Sequence, residues 1–134
     1  MKYFIDTNIF LDIVLDRKGG GIATDFVNKC ILNKNKIYIS WHTLSNLFYI
    51  LEKNLNNQIA KLSVKDILYF ANVVTVGHDD AKLALDLDVA DFEDALQIVS
   101  AKAVDADYII TRNKKDFVNS PIMAILPEEV GLVG

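Results

Sequence analysis

The chain has 134 residues, 51% hydrophobic and 24% charged, with a net charge of −4, which suits one compact domain over residues 1–134 and excludes intrinsic disorder. No apolar run nears the roughly 18 residues of a membrane span, and Asp6 interrupts the start where a secretory signal needs unbroken apolar residues, so a cytoplasmic protein with no membrane role is expected. The single cysteine, Cys30, excludes an internal disulfide and a cysteine-rich zinc site, and its amphipathic surroundings predict a small core residue.

Lys2 to Asp6 (KYFID) reads as a strand, and the following IFLDIVLDR repeats its apolar residues with helical spacing. Thr7 or Asn8 is expected to cap that helix. Gly19, Gly20 and Gly21 break it, and Ile22 to Leu32 resumes a helical pattern. Lys36 to Ser40 is the next strand, followed by a helix in WHTLSNLFYILEK with Leu44, Leu47, Phe48 and Leu51 on one face. After the asparagine-rich break at 54–57, Ile59 to Phe70 is helical, and Asn72 to Val76 is β-branched and bounded by Gly77, as in a strand. Helices are expected over Asp79 to Leu87 and Asp91 to Val104. Asp107 to Thr111 and Ile122 to Leu126 complete the set as two short strands.

Strands alternating with helices predict an α/β fold with a mostly parallel sheet covered on both faces. In such sheets ligands bind beyond the carboxyl ends of the strands, which directs attention to residues just after Asp6, Ser40, Val76 and Thr111. Charge is distributed unevenly: residues 1–70 carry nine basic and six acidic side chains, residues 71–134 five and twelve. Most of these acids suit a solvated surface. Three do not: Asp6 at the end of the first strand, Asp94 in DFEDALQIVSA, and Asp116 in TRNKKDF. Asp91 is explained as a helix cap, but Asp94 shares its side of the helix with the small apolar residues that pack on the sheet. Three carboxylates converging at one sheet end require a cation, and oxygen donors of this kind suit Mg²⁺ or Mn²⁺.

The segments FIDTN, DFEDALQIVSA and YIITRNKKDF, in this order and spacing, closely resemble the PIN-domain nucleases, the group that includes VapC-type toxins of bacterial toxin–antitoxin pairs. The resemblance spans Lys2 to about Val130. It implies a sheet of about five parallel strands, Mg²⁺- or Mn²⁺-dependent cleavage of RNA to 5′-phosphate products, an antitoxin partner and a homodimer. It assigns the metal-binding and catalytic carboxylates to Asp6, Asp94 and Asp116, with Thr7 or Asn8, Thr111 and Asn113 in support.

In one place the sequence departs from that pattern. Where PIN domains usually carry a glutamate after the second strand, this chain has Asn46, an uncharged oxygen donor that leaves occupancy by a second metal open. Glu93 is a neighbouring acid, but it lies about 100° around the helix from Asp94 and is expected in solvent; Asp12 is a further candidate. Arg17, Lys18, Arg112, Lys114 and Lys115 flank the expected site and can meet backbone phosphates. His42 and His78 lack metal-ligand spacing. Trp41, Phe48 and Tyr49 suit a core or dimer face. The rival reading is a PIN-like module that binds RNA or protein without cutting it, favoured by Asn46. A phospho-acceptor receiver domain fits the length, but FIDTN and YISWH lack its acidic signature.

Overall fold

A computed structural model describes residues 1–130. Five strands form one sheet in the order β3-β2-β1-β4-β5, every neighbouring pair parallel: β1 (Lys2–Ile5), β2 (Lys36–Ser40), β3 (Ala71–Val74), β4 (Tyr108–Ile110) and β5 (Ala124–Ile125). The helices between them are α1 (Thr7–Val14), α2 (Gly20–Leu32), α3 (Trp41–Asn54), α4 (Asn57–Phe70), α5 (His78–Asp86) and α6 (Phe92–Ala103).

Alternation along each strand divides the core between the two sheet faces. Tyr3 and Ile5 of β1 join Ile37, Ile39 and Ile110 in a cluster closed by Phe10 of α1, Phe26 and Cys30 of α2, Leu47 and Leu51 of α3, and Ile67 of α4. Phe4, between them in sequence, points the other way to Ile109 and to Ile98 and Ala101 of α6. Ala84 of α5 packs on Ala95 and Val99 of α6. Cys30 is buried with a free thiol, as expected.

Several boundaries differ from expectation. The glycine run does not precede α2 as a loop: only Gly19 is left-handed, at φ 92°, while Gly20 and Gly21 already lie in the helix. Its third strand starts one residue early and ends at Val74, where its ladder with β2 runs out at Ser40. The last strand shortens to two residues because it pairs with only two residues of β4. Neither Thr7 nor Asn8 caps α1. Both lie inside the helix, and the capping position belongs to Asp6, whose carboxylate makes no capping bond.

The topology fixes where a site forms. The chain moves outward from β1 through β2 to β3, then returns to place β4 on the other side of β1. Asp6 therefore sits at the reversal of strand order, beyond the carboxyl end of β1, and its N–H donates to the Ile110 carbonyl at 3.0 Å. Among the described residues no helix is long and apolar enough to cross a membrane.

Candidate active site

Asp6 is only 3% exposed. Its carboxylate has no basic partner and is held by two neutral donors: Gln97 Nε2 donates to Oδ1 at 3.0 Å and Thr111 Oγ1 to Oδ2 at 2.9 Å. Burial pushes its pKa up, the two hydrogen bonds oppose that, and the nearby charge of Glu93 adds to it. Thr111 is held in turn, accepting from the Asn113 backbone N–H at 3.0 Å. The turn after β4 thus aims one hydroxyl at Asp6.

Helix α6 carries the second station. Asp91 caps it as expected, Oδ1 accepting from the Asp94 N–H at 3.0 Å. Asp94 is half-buried, and its pKa is pushed up to about 7, first by burial and then by the charges of Asp91, Asp6, Asp116 and Glu93. All three predicted carboxylates thus act on one another. Asp94 and Asp116 line a cleft of about 330 Å³ together with Asp91, Asp88 and Lys115. Asp116 is exposed on its rim, in a single 3-10 turn at Lys114–Phe117.

Glu93 is not in solvent as expected. It is half-buried and turns back toward α3 and α1, accepting from Asn46 Nδ2 at 3.3 and 3.2 Å on its two oxygens and from Thr7 Oγ1 at 3.4 Å. Thr7 meets Thr43 Oγ1 at 3.1 Å, and Thr43 meets Ser40 Oγ at 2.6 Å. The approach of α3 to α6, which a one-helix angle does not contain, draws the side chain inward. Asn46 and Thr7 are therefore at the site through Glu93 rather than through Asp6.

The remaining candidates divide. Asp12 is the ion-pair partner of Arg112, Nη1 to Oδ2 at 2.7 Å, and is removed from the acidic centre. Arg112 also donates to the Lys18 carbonyl, so it ties the turn after β4 to the turn after α1. Lys114 pairs with Glu129 at 3.0 Å. Among the described residues Arg17, Lys18 and Lys115 form no ion pair. Arg17 and Lys18 line a second open cleft with Asn8, Asp12, Arg112 and Asn113, and the exposed side chains of Asn8 and Asn113 do not reach Asp6. Trp41 and Tyr49 are 65% and 62% exposed and belong to a surface, while Phe48 packs against the core.

Gln97 escaped the sequence reading, although a glutamine on an otherwise apolar helix face one turn after Asp94 was its signal. It is 1% exposed, and its Oε1 has no hydrogen-bond partner. A carbonyl oxygen left bare beside buried carboxylates is costly. Together with an all-oxygen donor set and unneutralised negative charge, it fits a hard divalent cation. As the side chains stand, no three acidic, histidine or cysteine groups among the described residues enclose a metal position.

This geometry defines a class: an open parallel α/β sheet with a carboxylate centre at the reversal of strand order. Sequence comparison supplies the family. The PIN domain matches residues 2–115, and the chain belongs to that family. No curated protein matches the sequence. Among solved structures, VapBC2 of Rickettsia felis, bound to a DNA fragment from its promoter, is similar at a TM-score of 0.76 and 20% identity, over 94% of this chain and 98% of that one. VapBC-1 of nontypeable Haemophilus influenzae reaches 0.71 at 14% identity, over 96% and 99%. VapC20 of Mycobacterium tuberculosis, described as a toxin that cleaves the sarcin–ricin loop, reaches 0.64 at 16%, over 80% and 86%. The fold is the VapC-like PIN fold.

Proposed function

We propose that the protein is a Mg²⁺- or Mn²⁺-dependent ribonuclease acting as the toxin of a toxin–antitoxin pair. The observation that carries this reading is the mutual repulsion of Asp6, Asp94 and Asp116 at one sheet end, with Asp94 raised to about 7 and no basic side chain paired with any of the three among the described residues. Family membership and the toxin–antitoxin complexes among the similar structures support it.

When bound, the cation lowers the pKa of water and offsets charge on the reacting phosphate. The chain's own residues do the rest. Gln97 and Thr111 fix the Asp6 carboxylate so that it cannot rotate away. Asp94 and Asp116, with solvent on one side, complete the carboxylate set from the cleft. Lys115 on the rim and Arg17 and Lys18 in the neighbouring cleft hold backbone phosphates, whereas Arg112 and Lys114 are committed to Asp12 and Glu129.

In this reading an antitoxin covers the acidic cleft in the resting cell, the protein works in the cytoplasm, and the exposed Trp41 and Tyr49 belong to a homodimer face. The test is incubation of RNA with the protein and Mn²⁺. Fragments with 5′-phosphate ends that vanish on chelation support the reading; metal-independent fragments, or none, contradict it.

A further inference from the structure

We propose that Glu93 is a fourth metal-binding carboxylate of this centre, delivered from α6 and positioned by Asn46 and Thr7. The inference rests on the reading of the centre as a divalent-cation site and adds to it a residue and a mode of delivery.

Glu93 is held in an unusual way for a surface acid. One amide group, Asn46 Nδ2, serves both carboxylate oxygens at 3.3 and 3.2 Å, and Thr7 Oγ1 donates to Oε1. Each hydroxyl has one proton. Because that of Thr7 goes to Glu93, Thr43 donates to Thr7 and Ser40 to Thr43, a directed chain from the end of β2 to this carboxylate. Three elements therefore cooperate to keep Glu93 half-buried, although the first turn of a helix offers it open solvent. Lateral packing does not require this, since an apolar residue would fill the same space without the charge.

No cation of the protein accounts for the charge. Both ion pairs among the described residues lie elsewhere. His42 packs against Glu93, but burial lowers its pKa despite that neighbour, so its ring is neutral at pH 7. Glu93 instead raises the cost of ionising Asp6 and Asp94. An arrangement that holds a carboxylate against two others with neutral donors is destabilising unless a cation is supplied.

A separate observation comes from α6 one turn on. Gln97 is 1% exposed, hydrogen-bonded to Asp6 through Nε2, and its Oε1 is without a partner in the space beside these carboxylates. An unpartnered acceptor at that point calls for an ion or its water. Asn46 is thus not a defect in the acidic set. It is the donor that turns Glu93 inward, and the charge lies on α6 instead of α3.

The experiment is calorimetric titration of the full chain with Mn²⁺, with the fold of each variant checked by thermal melting. Wild type is compared with Asp94→Asn, Glu93→Gln, Asn46→Ala and the exchange variant Asn46→Glu/Glu93→Gln. Expected are loss of binding for Asp94→Asn, a Kd weakened about 10-fold or more for Glu93→Gln and for Asn46→Ala, and recovery in the exchange variant, which returns the carboxylate across the same contact. Mn²⁺ binding equal to wild type in Glu93→Gln, with Asp94→Asn still deficient, overturns the role of Glu93 alone. Loss in Glu93→Gln without recovery in the exchange variant overturns the transfer of the carboxylate between helices. Absence of Mn²⁺ binding in wild type overturns the cation-site reading and this proposal with it.

Discussion

Gln97 and Asp6, separated by 91 residues, are joined by a hydrogen bond of 3.0 Å between two side chains that are 1% and 3% exposed. The bond couples the middle of α6 to the end of β1 and is one of two neutral contacts that make a buried, unpaired carboxylate tolerable. Gln97→Ala removes it. Loss of a hydrogen bond to a charged group costs about 1.5–3 kcal/mol, to be read from urea unfolding. The lost donor also raises the Asp6 pKa further, so the acidic limb of any pH–rate profile moves to higher pH. An unchanged profile contradicts this role.

Asp94 makes stability depend on pH in a direction opposite to that of a salt-bridged acid. Its folded pKa, about 7, lies above the ordinary 3.8, so the folded state binds the proton more tightly and stability falls as pH rises between those values. Asp6, also raised, acts in the same direction. Solvent on one side of Asp94 reduces the effect to roughly 1–2 kcal/mol. In chelator, urea midpoints are expected to drop from pH 4 to pH 7, to flatten in Asp94→Asn, and to recover at pH 7 when Mn²⁺ is added. A midpoint that rises with pH across that window in the chelated wild type contradicts the assignment.

The Arg112–Asp12 pair supports the architecture rather than the chemistry. The Asp12 side chain is 7% exposed and that of Arg112 39%, so Arg112→Ala strands a buried charge. A loss of about 2 kcal/mol is expected, smaller than for a fully buried pair because Arg112 is partly solvated. The double variant with Asp12→Ala should be less destabilised than the sum of the singles. Additive losses would mean that the two side chains act independently.

Adjacent glycines give a sharp contrast. A methyl group on Gly20 would run into the Asp12 carbonyl oxygen, which is backbone and cannot swing away, whereas one on Gly21 meets nothing within 4 Å. Both lie in α2. Gly21→Ala is expected to be neutral or to stabilise by up to about 1 kcal/mol, and Gly20→Ala to destabilise by about 1–3 kcal/mol. Thermal melting distinguishes the two, and equal shifts would contradict the close approach of α1 and α2.

What the sequence made legible follows from what each signal depends on. β2 falls on its predicted residues because an apolar, β-branched run ends at a helix start, a local pattern. Asp6 was legible because strand-end position alone marks a site in an open parallel sheet. Gln97 was not, because periodicity counts apolar residues and passes over a buried amide among them. Glu93 was misplaced because its angle on α6 is local, whereas its partner Asn46 comes from a helix 47 residues away. Asp12 failed as a site candidate for the same reason, its partner being 100 residues distant. Residues whose role is set by their own element were readable; those set by a neighbouring element were not.

The central claim is that Asp94 belongs to a cation-dependent hydrolytic centre. Its most direct test compares RNA cleavage by wild type and Asp94→Asn in Mn²⁺, with matched folding confirmed by circular dichroism. The account predicts cleavage by wild type and a loss of at least about 100-fold in the variant, the scale expected when a group that stabilises charge in the transition state is removed. Equal cleavage by the two proteins would contradict it.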